Sequence, residues 1–466
     1  MTKRSVCLGL VGAALVCGLC FFNDWVLRQN YLVGNNMPAS IYGLLILAVV
    51  LLNPLLRRFR LTGAELAVIL ALTLAGASIP GGGLVRTLVP TLVMPHHLVK
   101  THAGWRQEKI LDSVPPRMLV DVSSDEDTVV NGYVQGLGKG DEHISVDRVP
   151  WRAWLVPLGF WLPMALALWV ALIGLSLAIH PQWSRHEHLP FPIAQFTAAL
   201  LPEPGERTSP LMRNRMFWTT VCVVLAIHMN NFACQWFPDF LIAIPTYFDL
   251  RPLAKLLPVL VRGGGAGLLR PHIYLIIIGL AYFIPSDVSL SFGVGPFLWY
   301  ILLGVFATYG VNLTAPVEGV SYFSLKPQSF ALFGANVGVL LAVVYTGRRY
   351  YRSVLGQALG SRGGDPVDAS ALWGMRVFLV ACALLVFQLW LIGIELPLVL
   401  MYVGFMIMGF VVLSRIIAET GLIYLKCYFW PGATLWAFFG AQAVGPWQLL
   451  LMMLVTTVLF IDPREA

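Results

Sequence analysis

The stretch from Ile273 to Phe306, IYLIIIGLAYFIPSDVSLSFGVGPFLWYILLGVF, is nearly unbroken hydrocarbon. Runs like it recur along the whole chain, and they leave few ways to fold. A helix needs about 20 apolar residues to cross a hydrocarbon core of ~30 Å. Inside lipid every backbone N–H and C=O must also find its partner within the segment or its neighbours. Charged residues are 12% of the 466 and hydrophobic ones 58%, whereas a soluble domain carries about 25% charge. The expected fold is an all-α integral membrane protein with about 11 transmembrane helices (roughly 10–12), some of them short or broken. The expected spans are 5–27, 40–56, 62–86, 153–179, 216–237, 272–286, 289–311, 330–347, 372–394, 397–419 and 447–461.

Arginine placement orients this list. Lys3-Arg4, Arg57-Arg58-Phe59-Arg60, the 180–215 loop with Arg185, Arg207, Arg213 and Arg215, and Arg348-Arg349-Tyr350-Tyr351-Arg352 all fall on one side. Cytoplasmic loops carry such excess, so the N-terminus is expected in the cytoplasm and the chain in the cell inner membrane. The 238–271 segment fits less well, since it falls on the other side with Arg251, Lys255, Arg262 and Arg270. Three regions follow: N-terminal helices over 1–94, an extracytoplasmic loop or small lobe over 95–152, and a bundle over 153–466 with the inner loop 180–215. Alternation in RMLVDV and HISVDRV suggests a β-hairpin within the lobe. The lobe is too small for an enzyme domain with its own core. Within 180–215, Ile193 to Leu201 suggests a short interfacial helix between prolines.

The net charge of +7 is spread along loops and points to membrane orientation, not to nucleic acid. The seven cysteines sit mostly in apolar runs, where a thiol acts as a small hydrophobe. His186 and His188 flank Glu187, but i and i+2 residues do not share a helix face and no HExxH is present. No metal site and no cofactor is expected, and neither is an enzyme.

Ionisable groups and broken backbone at membrane depth are the places to look for function. In IPSDVS, Pro285 ends an apolar stretch too short to span, which suggests a discontinuous crossing with Ser286 and Asp287 in a polar pocket. An ordinary tight turn with Asp287 capping the next helix is the other reading. In LSRIIAETGL, Arg415 and Glu419 are four apart and share a face. They are either an interfacial ion pair or a coupling carboxylate with an anion clamp. Pro80 followed by Gly81, Gly82 and Gly83 breaks the third span, either to line a cavity or to let helices pack closely. In AIHMNNFACQW, His228, Asn230 and Asn231 serve either interhelical hydrogen bonding or solute and proton contact.

Several strings together carry a resemblance: MPASIYGLLILAVVLLNPLLRR, VPWRAWLVPLGFW, HEHLPFPIAQF, YFIPSDVSLS and RIIAETGL. They resemble an uncharacterised family of bacterial polytopic membrane proteins, a domain of unknown function, over nearly the whole chain. That family is distantly similar to the oligopeptide transporters, here through His188-Leu189-Pro190-Phe191-Pro192 and the helix number. The resemblance implies proton-linked movement of peptides or related organic solutes. It also implies further helices after FIDPREA, so a shortened chain or a separate C-terminal partner chain is one expectation. The leading functional expectation is a secondary transporter in the lipid bilayer acting on a small solute. The solute would bind at the broken segments around Pro80–Gly83 and Pro285–Asp287, with Glu419 or Asp287 as the coupling carboxylate and Arg415 as an anion clamp or partner. The alternative is a non-transporting scaffold or assembly subunit, as a homo-oligomer or with a partner chain.

Overall fold

The structure is a computed structural model that describes residues 2–28, 31–34, 37–56, 59–80, 84–123, 125–138, 140, 142–206, 208–315, 326–361, 366–423, 425, 427 and 429–460. Among these residues the fold is helical, without β-strands; Tyr247 and His272 form one isolated bridge. Among the described residues seven helical stretches are long and apolar enough to cross a membrane: Lys3–Val26, Trp151–His186, Arg215–Ala233, Ser286–Thr308, Pro327–Thr346, Ala369–Leu391 and Leu396–Thr420. Ala39–Leu55, Gly63–Gly76 and Pro446–Leu459 are shorter apolar helices. An all-α membrane protein of this kind is what the apolar runs require.

The helices are numbered α1 (Lys3–Phe21), α2 (Ala39–Leu47), α3 (Gly63–Gly76), α4 (Leu84–Thr101), α5 (Trp151–Pro181), α6 (Pro192–Leu200), α7 (Arg215–Ala233), α8 (Leu275–Ala281), α9 (Ser286–Thr308), α10 (Pro327–Thr346), α11 (Arg348–Ala358), α12 (Ala369–Leu391), α13 (Leu396–Thr420), α14 (Pro431–Phe439) and α15 (Pro446–Leu459). The main core is formed by α4, α5, α12, α13 and α15, around Leu92, Trp161, Met164, Leu385, Tyr402, Met406 and Val455. A second cluster holds α1, α2, α3 and α6 together around Ile41, Tyr42, Leu66, Leu70 and Leu200.

Helices α5 and α12 cross where two glycines meet. A Cβ on Gly174 would lie 2.6 Å from the Gly374 carbonyl oxygen, and one on Gly374 would lie 2.7 Å from that of Gly174. Lipid supplies no hydrophobic drive between helices, so close backbone approach through small residues is what lets them hold. Gly374→Leu drives a side chain into backbone that cannot step aside, and overpacking of this kind costs about 1–3 kcal/mol or more. The expected outcome is a lower unfolding temperature and less folded protein in detergent, read by size-exclusion chromatography.

Four expectations change. The third span is two helices, α3 and α4, because the chain turns at Ala77–Pro80 instead of near residue 86. Leu84 and Val85 N–H groups then bond back to the Ser78 and Ile79 carbonyls. Helix α4 runs on through Pro90 and Pro95 to Thr101, across the 94/95 boundary. The 272–286 span is only the seven-residue α8. The β-hairpin in 95–152 does not form; Pro116–Met118 and Val146–Arg148 are tight 3-10 turns. Prolines at 115, 116 and 150 restrict the flanks. The extended backbone bonds to helix carbonyls instead, Val120 N–H to Leu92 O inside α4 at 3.2 Å and Asp121 N–H to Ala153 O in the first turn of α5 at 3.1 Å. Met118, Val120, Val129 and Val130 are thereby buried in the main core, and Trp161 Nε1 donates to Met118 O at 3.0 Å.

Candidate functional site

An enclosed charge cluster lies where α5 ends, the HEHLPFP turn passes, and α13 ends. Helix α5 closes in a π-helical turn, Gln182–His186. The turn is pinned by Glu187 N–H to Gln182 O at 3.0 Å and Leu189 N–H to Trp183 O at 2.9 Å. Two non-glycine residues in it adopt left-handed backbone, His188 at φ 52 and Phe191 at φ 46. Such conformations persist only where surrounding contacts enforce them. Here the Phe191 N–H donates to the Ala418 carbonyl of α13 at 2.9 Å, and Pro192 then starts α6 with its fixed φ.

Arg415 joins the two strings. Its guanidinium bonds Glu187 across 228 residues of sequence and Glu419 one turn along at 3.3 Å. Arg415 and Glu187 side chains are only 16% and 10% exposed, while Glu419 is 42% exposed. Gln182 Nε2 donates to the other Glu187 oxygen at 3.0 Å, and the Arg415 guanidinium lies 5.4 Å from the Trp183 ring centre. Trp183 Nε1 in turn donates to the Tyr351 hydroxyl of α11 at 3.2 Å. Burial pushes the Tyr351 phenol up to about 12, so it remains a neutral hydroxyl at physiological pH. One guanidinium therefore faces two carboxylates, and with both ionised the cluster carries one negative charge.

Two apolar cavities meet beside this cluster. One, of about 790 Å³, lies among α2, α3, α6 and α13 and is lined by Tyr42, Leu70, Leu74, Ser78 and Thr197 among others. The other, of about 360 Å³, lies between α5 and α13 and includes Leu172, His180, Trp183 and Ser414. Phe191, Ile417 and Ala418 line both, so the strained turn residue stands between them. The His180 ring packs on Phe191 with centroids 6.0 Å apart.

Gly421 ends α13 at φ +67, and a Cβ there would lie 2.6 Å from Pro192 Cβ. Gly421→Ala therefore strains the backbone and pushes on the start of α6. The expected outcome is faster proteolytic cleavage in 182–192 with the rest of the chain intact, read by limited proteolysis and mass spectrometry.

The family model of a family of unknown function (DUF6785) matches residues 1–466. The chain belongs to this family. Searches of curated proteins and of solved structures returned no match. For this family member, the residues singled out by sequence divide as follows.

Arg415 and Glu419 are brought together, and Glu187 joins them. Pro285, Ser286 and Asp287 lie at the exposed start of α9, with Asp287 in its first turn, and line neither of the two apolar cavities. Asn230 and Asn231 fasten the chain after α7: Asn230 Nδ2 donates to Ile242 O at 2.9 Å, and Asn231 pairs with both Ile244 N–H (2.7 Å) and O (2.8 Å). His228 is exposed on α7. Gly81, Gly82 and Gly83 lie outside the described residues. Among the described residues no three His, Cys, Asp or Glu side chains gather around a point that would hold a metal.

Two residues were not singled out by sequence. Glu187 was weighed only with its flanking histidines. Asp24 reads as part of an aromatic interfacial end in FFNDW, yet it is 8% exposed. It accepts from Leu32 N–H at 2.9 Å and lies 3.2 Å from Cys20 Sγ. The π-helical turn Phe22–Val26 rotates it inward, and nothing in the local string announces that turn.

Proposed function

We propose that this chain is a secondary transporter of the cell inner membrane, with its N-terminus in the cytoplasm, that moves a small solute coupled to protons. One observation carries the reading: a largely enclosed Arg415 holds two carboxylates beside the residue that separates two apolar cavities. Buried ion clusters contribute little net stability compared with apolar packing, and ionisable groups in membrane helices most often mark a pathway or relay. Glu419 is the more exposed carboxylate and is the one assigned to take the proton. Proton uptake there removes the negative charge of the cluster and leaves Arg415 to Glu187 alone.

The coupling path is short. Glu187 and Phe191 belong to one turn, and Glu419 is next to Ala418, whose carbonyl holds the Phe191 N–H. A change in charge at Glu419 thus acts within one turn of the wall between the cavities. The cavity linings are mostly aliphatic, with hydroxyls from Tyr42, Ser78 and Thr197 in the larger one. They suit a solute with an apolar body and few hydrogen-bonding groups, such as a small apolar peptide or related organic solute. The peptide class rests on the LPFP likeness.

The testing experiment is accumulation of such solutes by proteoliposomes under an imposed pH gradient, with the gradient collapsed by ionophore as comparison. Accumulation that disappears with the gradient is expected; equal uptake with and without it contradicts proton coupling. Phe191→Ala removes the wall and should let solute run downhill without a gradient. Each 1.4 kcal/mol of barrier removed raises passive flux about tenfold. Unchanged efflux from loaded vesicles contradicts the assignment of Phe191.

A second reading, a membrane subunit that assembles with other chains, is favoured by α7. None of its membrane-length window is buried within the chain. A fixed stoichiometry above one, measured by light scattering in mild detergent, supports that reading.

A further inference from the structure

A third cavity, of about 630 Å³, opens at the ends of α5, α10 and α12; Gln182, which bonds Glu187 of the Arg415 cluster, is part of its lining, but Arg415, Glu187 and Glu419 are not. Its lining is of a different kind. It includes Arg185 and His186 from the turn after α5, Arg348, Arg349 and Tyr350 from the start of α11, and Asp368 just before α12. Asp368 is the one acid of this lining among the described residues, and it pairs with Arg185 at 2.6 Å. Two further guanidiniums therefore face a concave space in which one acid is already matched.

The arginines are held in place. Tyr350 donates its hydroxyl to Ala178 O at 3.1 Å, and Val354 is fully buried against Ala178 and Met375. These contacts fasten α11 to α5 and α12. Gly347 allows the tight turn into α11, since a Cβ there would lie 2.3 Å from the Tyr351 ring. Arg348 Nη1 donates to Tyr345 O at 2.8 Å, and its guanidinium stacks 4.2 Å from the Tyr345 ring centre. One end of the fork is thus tied down while other N–H donors remain to face a ligand. Helix α11 follows the membrane-length α10 directly and presents Arg348, Arg349 and Arg352 exposed with Val354 buried. Such a helix belongs at headgroup level.

We infer that this pocket binds a phosphate-bearing anion, either the headgroup of an anionic phospholipid or a free phosphate. Planar guanidiniums match phosphate oxygens in paired N–H···O bonds, and basic pockets between membrane helices take anionic headgroups. The cavity has the size usual for a small-molecule site. The site does not depend on the transporter reading.

The test uses the full chain in mixed phosphatidylglycerol and phosphatidylcholine micelles, with retained lipid counted by native mass spectrometry. In a separate arm, inorganic phosphate is added and thermal stabilisation is followed. The R348Q/R349Q double variant is compared with R349Q alone, whose side chain is exposed, and with R352Q, whose arginine shares the helix but does not line the cavity. Loss of phosphatidylglycerol preference by about tenfold in the double variant, less in R349Q and none in R352Q, supports a lipid headgroup site. Stabilisation by inorganic phosphate that disappears in the same variants, without lipid preference, supports a free-anion site. Equal effects of R352Q and R348Q/R349Q, or no anion preference in the wild type, overturn the assignment and leave only diffuse surface charge.

Discussion

Glu419→Gln is expected to abolish gradient-driven solute accumulation and to leave the protein folded. The substitution keeps the shape of the side chain and its contact with Arg415, but fixes it neutral. Glu419 is 42% exposed, so its removal as a charge strands no buried partner: Arg415 still has Glu187. Loss of coupling therefore separates from loss of structure. Passive leak of solute should stay at the low wild-type level, because the cavity wall at Phe191 is untouched. Transport measured with and without a pH gradient reads the two activities apart. Gradient-driven uptake at the wild-type level in Glu419→Gln sinks the role given to this carboxylate.

The largest effect on stability is expected from Arg415→Met. Glu187 is 10% exposed and would be left as an uncompensated carboxylate against Trp183 and the end of α13. Breaking a buried pair from one side costs about 3–5 kcal/mol. The contact with the Trp183 ring goes as well. Replacing both partners, as Glu187→Gln with Arg415→Met, removes the stranded charge and should recover most of the loss. A denaturant titration of the single and double variants in the same micelle decides this. A double variant as unstable as the sum of its singles contradicts a direct Arg415–Glu187 coupling.

Much of the bundle was legible because lipid imposes one rule, that backbone polar groups be satisfied within helices. The long runs around residues 151–186, 369–391 and 396–420 became helices almost as read. The Arg415–Glu419 face was legible too, since i,i+4 spacing is a local property. Its partner was not. Glu187 sits between two histidines in a turn, and only the left-handed backbone at His188 and Phe191 brings that turn against α13. No local pattern encodes a contact across 228 positions.

Short elements misled in the opposite direction. The alternation in 117–122 and 143–149 has the period of a strand, but the carbonyls of Leu92 and Ala153 take the N–H groups of Val120 and Asp121, and Val146–Arg148 closes on itself as a 3-10 turn before Pro150. At Pro285 the break in the helix was read from the proline, which cannot continue a hydrogen-bonded run. The exposure of Asp287 depends on what packs around α9, and α9 is largely exposed.

The most direct measurement is solute-evoked charge movement in proteoliposomes holding the wild type, with the pH gradient applied in each direction and Glu419→Gln recorded beside it. Coupled transport through the Arg415 cluster predicts a wild-type current that reverses with the gradient and is absent from the variant. A wild-type current indifferent to the gradient, or an unchanged current in the variant, would contradict that account.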